Sequence, residues 1–362
     1  MKKSYLLTLI AAAGMTFASC SKSDEPKKPD PEVPTVAEGA FIINQGNYSK
    51  QIEGSLTFID YATSTASQGV FQKANGKSLG ASPQSAVVYG SKIYICVYGS
   101  NVIQIINRTT FKSEKMISLE NETGQSPRSL VAKDGKVYIS MYNGYVSRLD
   151  TLSLAIDKTV QVGPNPEIMA IHGNYLYVPN SDGMNWKVGY GTTASKIDLA
   201  KFEVVSTFTV GLNPCQFASN GTDLFLLCKG DYGSVASKIY KVANDKDLTE
   251  IVEATLFDMK GNKLYYINAP YGAPEVVYGT YDIATGAKGK MVTDDGVESP
   301  AGLGVDPLNG NIVITSYSMN GGYASYTTDG YAKVYNNTGA LLKKYDVALG
   351  VDPLNGNIVI TS

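Results

Sequence analysis

An all-β fold is predicted by three features of this 362-residue sequence. A Ser-Pro or Asn-Pro pair recurs at intervals of 39 to 48 residues, with one interval of twice that length. Each pair precedes an apolar stretch, a Gly-containing turn and a strand rich in aromatic and β-branched residues, which is the pattern of a β-hairpin. No long helical pattern follows residue 36. The pairs are Ser82-Pro83, Ser126-Pro127, Asn165-Pro166, Asn213-Pro214 and Ser299-Pro300.

Units of 40 to 45 residues with four antiparallel strands are typical of β-propeller blades. Six complete units begin near residues 80, 124, 163, 211, 253 and 298. Residues 36–75 hold three further strands, so we expect the C-terminus to supply the missing inner strand, around Ala348 to Leu354. Pairing of the two chain ends would then close a ring of seven blades and remove the exposed sheet edges. The three strands are expected at Ala40 to Asn44, Ser55 to Tyr61 and Ala66 to Asn75.

One segment of fourteen residues occurs twice, as Leu303 to Ser316 and again as Leu349 to Ser362. The other repeats are only loosely similar, so this copy is either a recent duplication or a sequence artefact. It supplies one strand more than seven blades need. That strand, Asn357 to Ser362, would compete with Ala40 to Asn44 for one place, and we expect the last residues to be frayed or weakly docked.

The composition argues against several function classes. The formal net charge is −2, whereas a protein that binds duplex nucleic acid needs a basic face. One His and four Cys leave little material for common metal and acid–base sites. The single His172 precedes Gly173 and is interpreted as a turn residue on the far face. No catalytic triad and no repeated calcium-binding loop is recognisable, so we expect no catalytic residue and no cofactor, while a divalent cation at the mouth stays open.

The N-terminus has the features of a bacterial lipoprotein signal. Lys2 and Lys3 precede a short apolar run, and small residues lead to Cys20. We expect residues 1–19 to be removed and Cys20 to be lipidated, although an ordinary signal is the alternative. Residues 20–35 then form an acidic and Pro/Lys-rich tether, and residues 36–362 form the propeller. The acidic start of the tether resembles the surface-export signal of Bacteroidetes lipoproteins, which predicts a lipid-anchored protein on the outer face of the outer membrane.

A binding site is predicted on one face of the ring. The turns between second and third strands are long there, and long loops on a rigid scaffold commonly carry binding residues. A Tyr recurs near the end of the second strand, and the only Trp lies in one of the loops. Aromatic side chains offer large rigid contact areas with a polar tip. The expected aromatic contacts are Tyr48, Tyr98, Tyr142, Trp186, Tyr190, Tyr232, Tyr271 and Tyr317.

Three polar residues directly after the Pro pairs, Gln84, Arg128 and Glu167, are expected to point at the channel mouth. Packing between blades is the alternative for the aromatic residues, and a solvated link between blades is the alternative for Arg128. A further hypothesis concerns Cys215 and Cys228. Counting outward from the Gly221-Thr222 turn places them opposite each other, where a disulfide could form in an oxidising compartment. Two small buried thiols are the alternative.

The lipoprotein signal, the acidic tether and the seven Ser/Asn-Pro blades together resemble the surface lipoprotein propellers of Bacteroides. Among these, the chain is similar to the cobalamin-binding surface lipoprotein family and, more broadly, to bacterial propellers of the YVTN type. The resemblance covers the whole chain, but it rests on repeat motifs that propellers of other functions share. It implies capture of a corrinoid outside the cell and transfer to a TonB-dependent outer-membrane transporter.

Two other function classes remain open at this point. A mouth ringed with aromatic side chains also stacks on sugars, so a glycan-binding or adhesion module is the first alternative. A propeller enzyme is the second alternative, because scattered carboxylates leave room for a site of that kind. The scarcity of His favours binding over catalysis.

Overall fold

The computed structural model describes residues 39–273 and 275–349, together with the backbone of residues 358–361. These residues form a ring of seven four-stranded antiparallel sheets, which confirms the predicted seven-bladed propeller. The predicted signal, the lipidated Cys20 and the tether lie outside the described residues. None of the helices that the structure describes is both long and apolar enough to span a membrane.

The first half of the ring contains blades 1 to 4. Blade 1 contains β1 (Gly39–Asn44), β2 (Ser55–Asp60) and β3 (Thr65–Ser67), and helix α1 (Val70–Asn75) follows it. Blade 2 contains β4 (Pro83–Tyr89), β5 (Lys92–Val97), β6 (Val102–Asn107) and β7 (Ser113–Ser118). Blade 3 contains β8 (Pro127–Lys133), β9 (Lys136–Met141), β10 (Tyr145–Asp150) and β11 (Ala155–Gln161). Blade 4 contains β12 (Ala170–His172), β13 (Tyr175–Asn180), β14 (Thr193–Asp198) and β15 (Glu203–Thr209).

The second half contains blades 5 to 7 and the closing strand. Blade 5 contains β16 (Pro214–Ser219), β17 (Leu224–Cys228), β18 (Lys238–Ala243) and β19 (Asp247–Glu253). Blade 6 contains β20 (Leu256–Lys260), β21 (Lys263–Asn268), β22 (Val277–Asp282) and β23 (Lys288–Lys290). Blade 7 contains β24 (Pro300–Val305), β25 (Ile312–Ser316), the small hairpin β26 (Met319–Asn320) and β27 (Tyr323–Ala324), β28 (Asp329–Tyr335) and β29 (Leu341–Leu349). The closing strand is β30 (Ile358–Thr361).

The two chain ends pair as expected, but with other residues than the sequence predicted. Strand β30 pairs antiparallel with β1, placing Thr361 opposite Gly39, and thereby takes the inner position of blade 1. The prediction that Ala348 to Leu354 supplies this strand is wrong, because Leu349 ends the outer strand β29 of blade 7. The predicted surplus strand is therefore the one that closes the ring, and it pairs with β1 instead of competing with it.

The third predicted strand of blade 1 is only partly a strand. Strand β3 covers Thr65–Ser67, and Val70–Asn75 form helix α1 instead. Val70, Phe71 and Ala74 have helical spacing, and Val70 and Phe71 are buried. Gly76 ends the helix in a left-handed conformation, and its N–H donates to the Gln72 carbonyl.

The core of the described residues consists of seven apolar clusters, one at each boundary between neighbouring blades. The mid-strand residues Tyr94, Tyr138, Tyr177 and Tyr265 are buried in these clusters, as the strand pattern predicts, and so is Cys96. The ring is thus held together by side chains that point sideways between sheets. That arrangement leaves the loops at both ends of the ring available for other roles.

The Ser/Asn-Pro pairs build a local irregularity in the inner strands. Pro83 pairs with Val97, but Ser85 pairs with Cys96, so Gln84 is an extra residue in a β-bulge. The same shift occurs after Pro127, Pro214 and Pro300. In blade 4, Pro166 bridges Asn180 while Ala170 pairs with Tyr177, which again leaves one residue extra. A bulge redirects the side chain that it carries.

Candidate functional site

A cavity of about 760 Å³ lies at the face of the ring that carries the long loops. Nine of the eleven binding residues that the sequence predicts line it. Residues of blades 1 to 5 contribute to the lining, so the cavity occupies one side of the mouth. The nine residues are Tyr48, Gln84, Tyr98, Arg128, Tyr142, Glu167, Trp186, Tyr190 and Tyr232.

The Ser/Asn-Pro pairs of blades 2 to 5 position the residue directly after the second strand, and in three of these blades that residue lines the cavity. The Ser or Asn of the pair has a left-handed backbone in four blades, at Ser82, Ser126, Asn165 and Asn213, with φ between 46° and 61°. Its carbonyl accepts a hydrogen bond from the residue that follows the second strand. The donors are Tyr98 N at 3.1 Å, Tyr142 N at 2.9 Å, Ser181 N at 3.2 Å and Lys229 N at 2.8 Å.

The bulges position a second set of residues, which form the floor. Gln84, Arg128, Glu167 and Cys215 each follow a Pro and line the cavity. The Arg128 and Glu167 side chains are about 95% buried and form an ion pair, with Nε donating to Oε2 at 2.8 Å. The Arg128 Nη1 group donates to Gln84 Oε1, so the floor links blades 2, 3 and 4. A buried charge requires such compensation, because removing it from water is costly.

The Glu167 carboxylate accepts from three residues. Arg128 is the first donor. The Tyr142 hydroxyl donates a hydrogen bond to Oε1, and so does the Ser181 hydroxyl, at 3.3 Å. Burial raises the pKa of Tyr142 well above its usual value, while the nearby Arg128 charge lowers it and Glu167 raises it. The Arg128 guanidinium also lies over the Tyr142 ring, 5.1 Å from its centre. Tyr142 therefore stays protonated and acts as a hydrogen-bond donor to the floor.

Aromatic rings form the wall and rim of the cavity. Tyr98 meets Tyr142 edge to face at a centroid distance of 5.7 Å, and Tyr190 meets Tyr232 in the same way at 5.9 Å. Trp186 lies in the β13–β14 loop and is 60% exposed. The side chain of Asn165 ties this loop to the wall, because Nδ2 donates to the Tyr142 carbonyl at 2.9 Å and Oδ1 accepts from Met184 N at 3.0 Å.

Two predicted contacts lie outside this cavity. Tyr271 is fully exposed, because it stands at the tip of the β21–β22 loop, three positions after the strand end instead of one. Tyr317 has the expected backbone position, with its N–H bonded to the Ser299 carbonyl, but its ring is buried between blades 7 and 1. The loop that contains the β26–β27 hairpin covers it, and the Tyr326 ring lies 5.0 Å away.

The predicted disulfide is not formed, because Cys215 and Cys228 are both free and buried. The bulge after Pro214 explains this, since it places Pro214 opposite Cys228 and leaves Cys215 without a cross-strand partner. The Cys215 thiol instead lies 3.3 Å from the Asn213 carbonyl. Burial raises the pKa of Cys215 to about 12, so the thiol is protonated at neutral pH.

Sequence reasoning missed several lining residues, although the repeat contained a signal for most of them. Cys215 follows its Pro as Gln84 and Arg128 do, and Lys229 follows its strand as Tyr98 and Tyr142 do. Ser82, Ser126 and Asn213 of the Ser/Asn-Pro pairs also line the cavity. The residues missed are Gln45, Ser82, Asn101, Ser126, Met184, Asn213, Cys215 and Lys229, together with Gly99 and Gly183.

Acid–base groups are sparse around the cavity. Within residues 39–273 and 275–349, no three His, Cys, Asp or Glu side chains are grouped as metal ligands would be. His172 ends strand β12 beside the turn at Gly173, and its Nδ1 lies 2.8 Å from Ser219 Oγ. The lining carries one carboxylate, Glu167, which is engaged by three donors. This geometry suits recognition of a ligand through aromatic contact and hydrogen bonding.

Comparisons with known proteins agree on the fold. A family model described as a domain of unknown function, DUF5074, matches residues 38–351. Two solved structures from Bacteroides, described as putative 6-phosphogluconolactonases, are similar to the chain. The protein from Bacteroides fragilis has 14% identity and a TM-score of 0.62, covering 92% of this chain and 100% of its own. The protein from Bacteroides uniformis has 12% identity and a TM-score of 0.61, covering 90% and 100%.

A third similar structure is the hydrazine synthase of Kuenenia stuttgartiensis. It has 14% identity and a TM-score of 0.59, covering 77% of this chain and 95% of its own. At these identities the likeness shows the fold alone. A search among curated proteins finds no match.

Proposed function

The chain belongs to the DUF5074 family, whose function is unknown, and we propose that it is a cell-surface binding protein for an amphipathic macrocycle of the corrinoid class. One observation carries this proposal: six aromatic side chains surround a single cavity whose floor is an internally satisfied ion pair. Such a cavity offers contact area and hydrogen bonds.

The rim favours a broad ligand with apolar faces. Tyr48, Trp186 and Tyr232 are between 58% and 71% exposed, so a ligand lying across the mouth would remove this aromatic surface from water. Each square ångström of apolar surface so buried contributes roughly 25 cal/mol. The volume of about 760 Å³ falls in the range of about 300–1,000 Å³ that is usual for small-molecule sites.

The lining also favours a ligand fringed with amides. Gln45, Asn101 and Asn213 supply side-chain amides, and Ser82 and Ser126 supply hydroxyls. Amide and hydroxyl groups both donate and accept, so they match the amide groups at the edge of a corrinoid. The backbone bonds of the Ser/Asn-Pro pairs hold this lining in place before a ligand arrives, which lowers the ordering cost of binding.

The proposed location follows from the sequence. The signal and Cys20 support a lipid anchor, and the acidic tether supports display on the cell surface. In this scheme the propeller binds its ligand outside the cell and passes it to a TonB-dependent transporter in the outer membrane. Protease treatment of intact cells tests the display, and a fully protected protein would contradict it.

Isothermal titration of the detergent-solubilised full-length protein with cyanocobalamin tests the ligand. We expect saturable heat and a raised melting temperature. Trp186→Ala should weaken binding at least about tenfold, because a ring at a binding surface commonly contributes this much. The matched control is Tyr271→Ala, which removes a fully exposed aromatic ring outside the cavity. The absence of both binding heat and a thermal shift would refute the proposal. Binding to glycans on an array, without binding of cyanocobalamin, would show that the cavity recognises carbohydrate instead.

A second candidate function is hydrolysis of a phosphorylated sugar lactone. The specific observation is that the cavity lining contains two cationic side chains, Arg128 and Lys229, and one carboxylate, Glu167, in a fold shared with the two Bacteroides structures. Incubation with 6-phosphogluconolactone, followed by the release of acid, tests it. If the protein hydrolyses the lactone and an Arg128→Met variant does not, the cavity is a catalytic site and the binding proposal is wrong.

A further inference from the structure

Tyr232, in the loop between β17 and β18, has a backbone conformation that bulky residues rarely adopt. Its φ of 59° lies in the left-handed region. Phe111, Leu154 and Phe202 share this conformation, but they pack in the apolar clusters between blades. Tyr232 instead lines the cavity and is 58% exposed. A strained backbone persists only where the surrounding structure enforces it, and such positions cluster at binding sites.

The carboxylate of Asp231 enforces this conformation. Its Oδ1 accepts hydrogen bonds from Gly233 N at 2.9 Å and from Val235 N at 2.8 Å, and its Oδ2 accepts one from Ser234 Oγ at 2.7 Å. The residue before Tyr232 is thereby tied to three residues that follow it. The same hydrogen bonds, that of Ser234 first, lower the pKa of Asp231, so the carboxylate is ionised at neutral pH.

Gly230 anchors the start of this turn. Its N–H donates to the Leu212 carbonyl at 3.1 Å, which ties the turn to the link between blades 4 and 5. Its φ of 64° is left-handed, and a Cβ at this position would collide with the Val235 carbonyl oxygen. The turn thus has a fixed starting point and a fixed internal shape before any ligand arrives.

The hydroxyl end of Tyr232 lies against Asn213, which also lines the cavity. Burial and the nearby Cys215 raise the pKa of Tyr232, whereas a hydrogen bond with the Asn213 side chain lowers it. A hydrogen bond that lowers the pKa of a phenol favours the phenolate, so the Asn213 amide is the donor. The amide Oδ1 accepts from the Cys215 thiol at 3.4 Å. A hydroxyl that accepts one hydrogen bond can still donate its own proton in another.

We propose that the Tyr232 hydroxyl donates a hydrogen bond to an uncharged oxygen of the ligand, and that Asp231 is the residue that positions it. The proposal rests on the proposed function, because it assigns one polar contact within that cavity. For a corrinoid, the matching acceptor is the carbonyl oxygen of a peripheral amide. Tyr190 packs edge to face on the Tyr232 ring, with a centroid distance of 5.9 Å, and supports it from blade 4. A donor held in this way costs little to order when the ligand binds.

The first arm of the test removes the hydroxyl alone. Tyr232→Phe keeps the ring and its contact with Tyr190, and titration calorimetry should show an affinity for cyanocobalamin that is about fivefold lower. Tyr271→Phe is the matched control, because it removes the hydroxyl of a fully exposed Tyr outside the cavity. The control should change the affinity less than about twofold, within the spread of surface substitutions.

The second arm tests whether Asp231 acts through Tyr232. Asp231→Ala should weaken cyanocobalamin binding about fivefold or more, whereas Asp231→Asn should retain most of the affinity, because it keeps one acceptor oxygen for the turn. Combining Asp231→Ala with Tyr232→Phe should cost less than the product of the two single losses, since a displaced ring cannot use its hydroxyl. Asp223→Ala is the matched control, because Asp223 lies in the same blade and pairs with Lys241.

A third arm needs no ligand and separates this proposal from the proposed function. Hydrogen exchange of the free protein should speed up about fivefold or more at the Gly233 and Val235 amides in Asp231→Ala, but not in Asp223→Ala. If cyanocobalamin does not bind to the parent while this change occurs, the positioning by Asp231 stands, and the donor role is wrong together with the corrinoid.

Three outcomes overturn the proposal. Equal cyanocobalamin affinity of the parent and Tyr232→Phe excludes the donor role. Unchanged exchange in Asp231→Ala excludes the positioning, and losses that multiply in the double variant show that Asp231 acts independently of the hydroxyl. If Asp231→Ala does not fold, as its melting temperature would show, Ser234→Ala replaces it, because this variant removes only the hydrogen bond to Oδ2.

Discussion

Blades 2 to 5 and blades 6 and 7 have the same four-stranded scaffold, yet only blades 2 to 5 of these contribute residues to the cavity. In blades 2 to 5 the residue directly after the Pro is polar or carries a thiol, and all four of these residues line the cavity. Blade 6 has Thr255 in place of Pro and no bulge, and Leu256 pairs directly with Ile267. Blade 7 keeps the Pro and the bulge, but its residue is Ala301, which is buried between blades.

This comparison shows that one position per blade decides whether the blade contributes to the site. The bulge redirects a side chain toward the mouth, and the chemistry of that side chain then determines its role. In blades 2 to 4 the redirected side chains contact each other, which converts three separate repeats into one polar floor. Blade 7 shows that the backbone irregularity alone does not suffice.

The largest expected effect comes from breaking the polar floor. Glu167→Ala leaves the Arg128 guanidinium buried without its carboxylate, which should lower the free energy of unfolding by about 3–5 kcal/mol. Urea unfolding measures this change. Glu250→Ala is the control, because its ion pair with Lys238 is more than half exposed on the Glu side and should contribute less than about 1 kcal/mol. Equal losses in the two variants would show that the floor does not stabilise blades 2 to 4.

A second effect concerns Asp258, a carboxylate on the inner strand β20 of blade 6. Its oxygens accept from Met259 N at 2.7 Å and Val305 N at 2.8 Å, which joins the inner strands of blades 6 and 7. Desolvation raises the pKa of Asp258 from 3.8 to about 6. The folded chain therefore binds more protons than the unfolded chain between about pH 4 and 6, and this group's contribution to stability falls as pH rises through that window.

Asp258→Asn should remove this dependence. The free energy of unfolding of the parent minus that of the variant should fall by about 2–3 kcal/mol from pH 4 to pH 7, as urea unfolding at each pH would show. Asp282→Asn in the same blade is the control. Hydrogen bonds from Thr285 lower the pKa of Asp282, so its difference should change in the opposite direction. A parent-minus-Asp258→Asn difference that is constant with pH would contradict the prediction.

A third effect compares an aromatic ring of blade 2 with one of blade 6 by ligand binding. Tyr98→Ala removes a ring that lines the cavity and packs edge to face on Tyr142, so the affinity for cyanocobalamin should fall by about 1–2 kcal/mol, or about tenfold. Tyr271→Ala should leave the affinity unchanged. Titration calorimetry measures both, and a loss in Tyr271→Ala would mean that the ligand extends over blade 6.

The smallest expected effect tests the bulge of blade 5. Because Cys215 and Cys228 are free, a reductant should leave the melting temperature unchanged. A disulfide closing this short loop would contribute about 3 kcal/mol, and its reduction would lower the melting temperature by several degrees. The buried thiols should also react with Ellman's reagent only after unfolding. A fast reaction of Cys215 or Cys228 in the folded protein would contradict their burial.

Most of the site was predictable because its parts recur in the repeat. Tyr98 and Tyr142 have equivalent positions, as do Gln84, Arg128 and Glu167, and the pattern identified the face on which they lie. The errors arose where one blade departs from the others. Tyr271 stands two positions further along its loop, and Tyr317 is covered by a loop with an additional hairpin. The position of Tyr271 depends on where strand β21 ends, and the burial of Tyr317 depends on packing of a distant loop against its ring.

The sequence by itself determined the number of blades, most of their strands and the face that carries the long loops. These features depend on alternation and turn residues within about 45 residues. The tertiary structure decided which residues close the ring and which side chains meet in the floor. Arg128 lies 44 residues from Gln84 and 39 from Glu167. The closing strand Ile358–Thr361 has the same sequence as the first four residues of Ile312–Ser316, yet the latter is a second strand and the former an inner strand. Identical local sequences have identical local preferences, so only their neighbours in the folded ring can assign them different places.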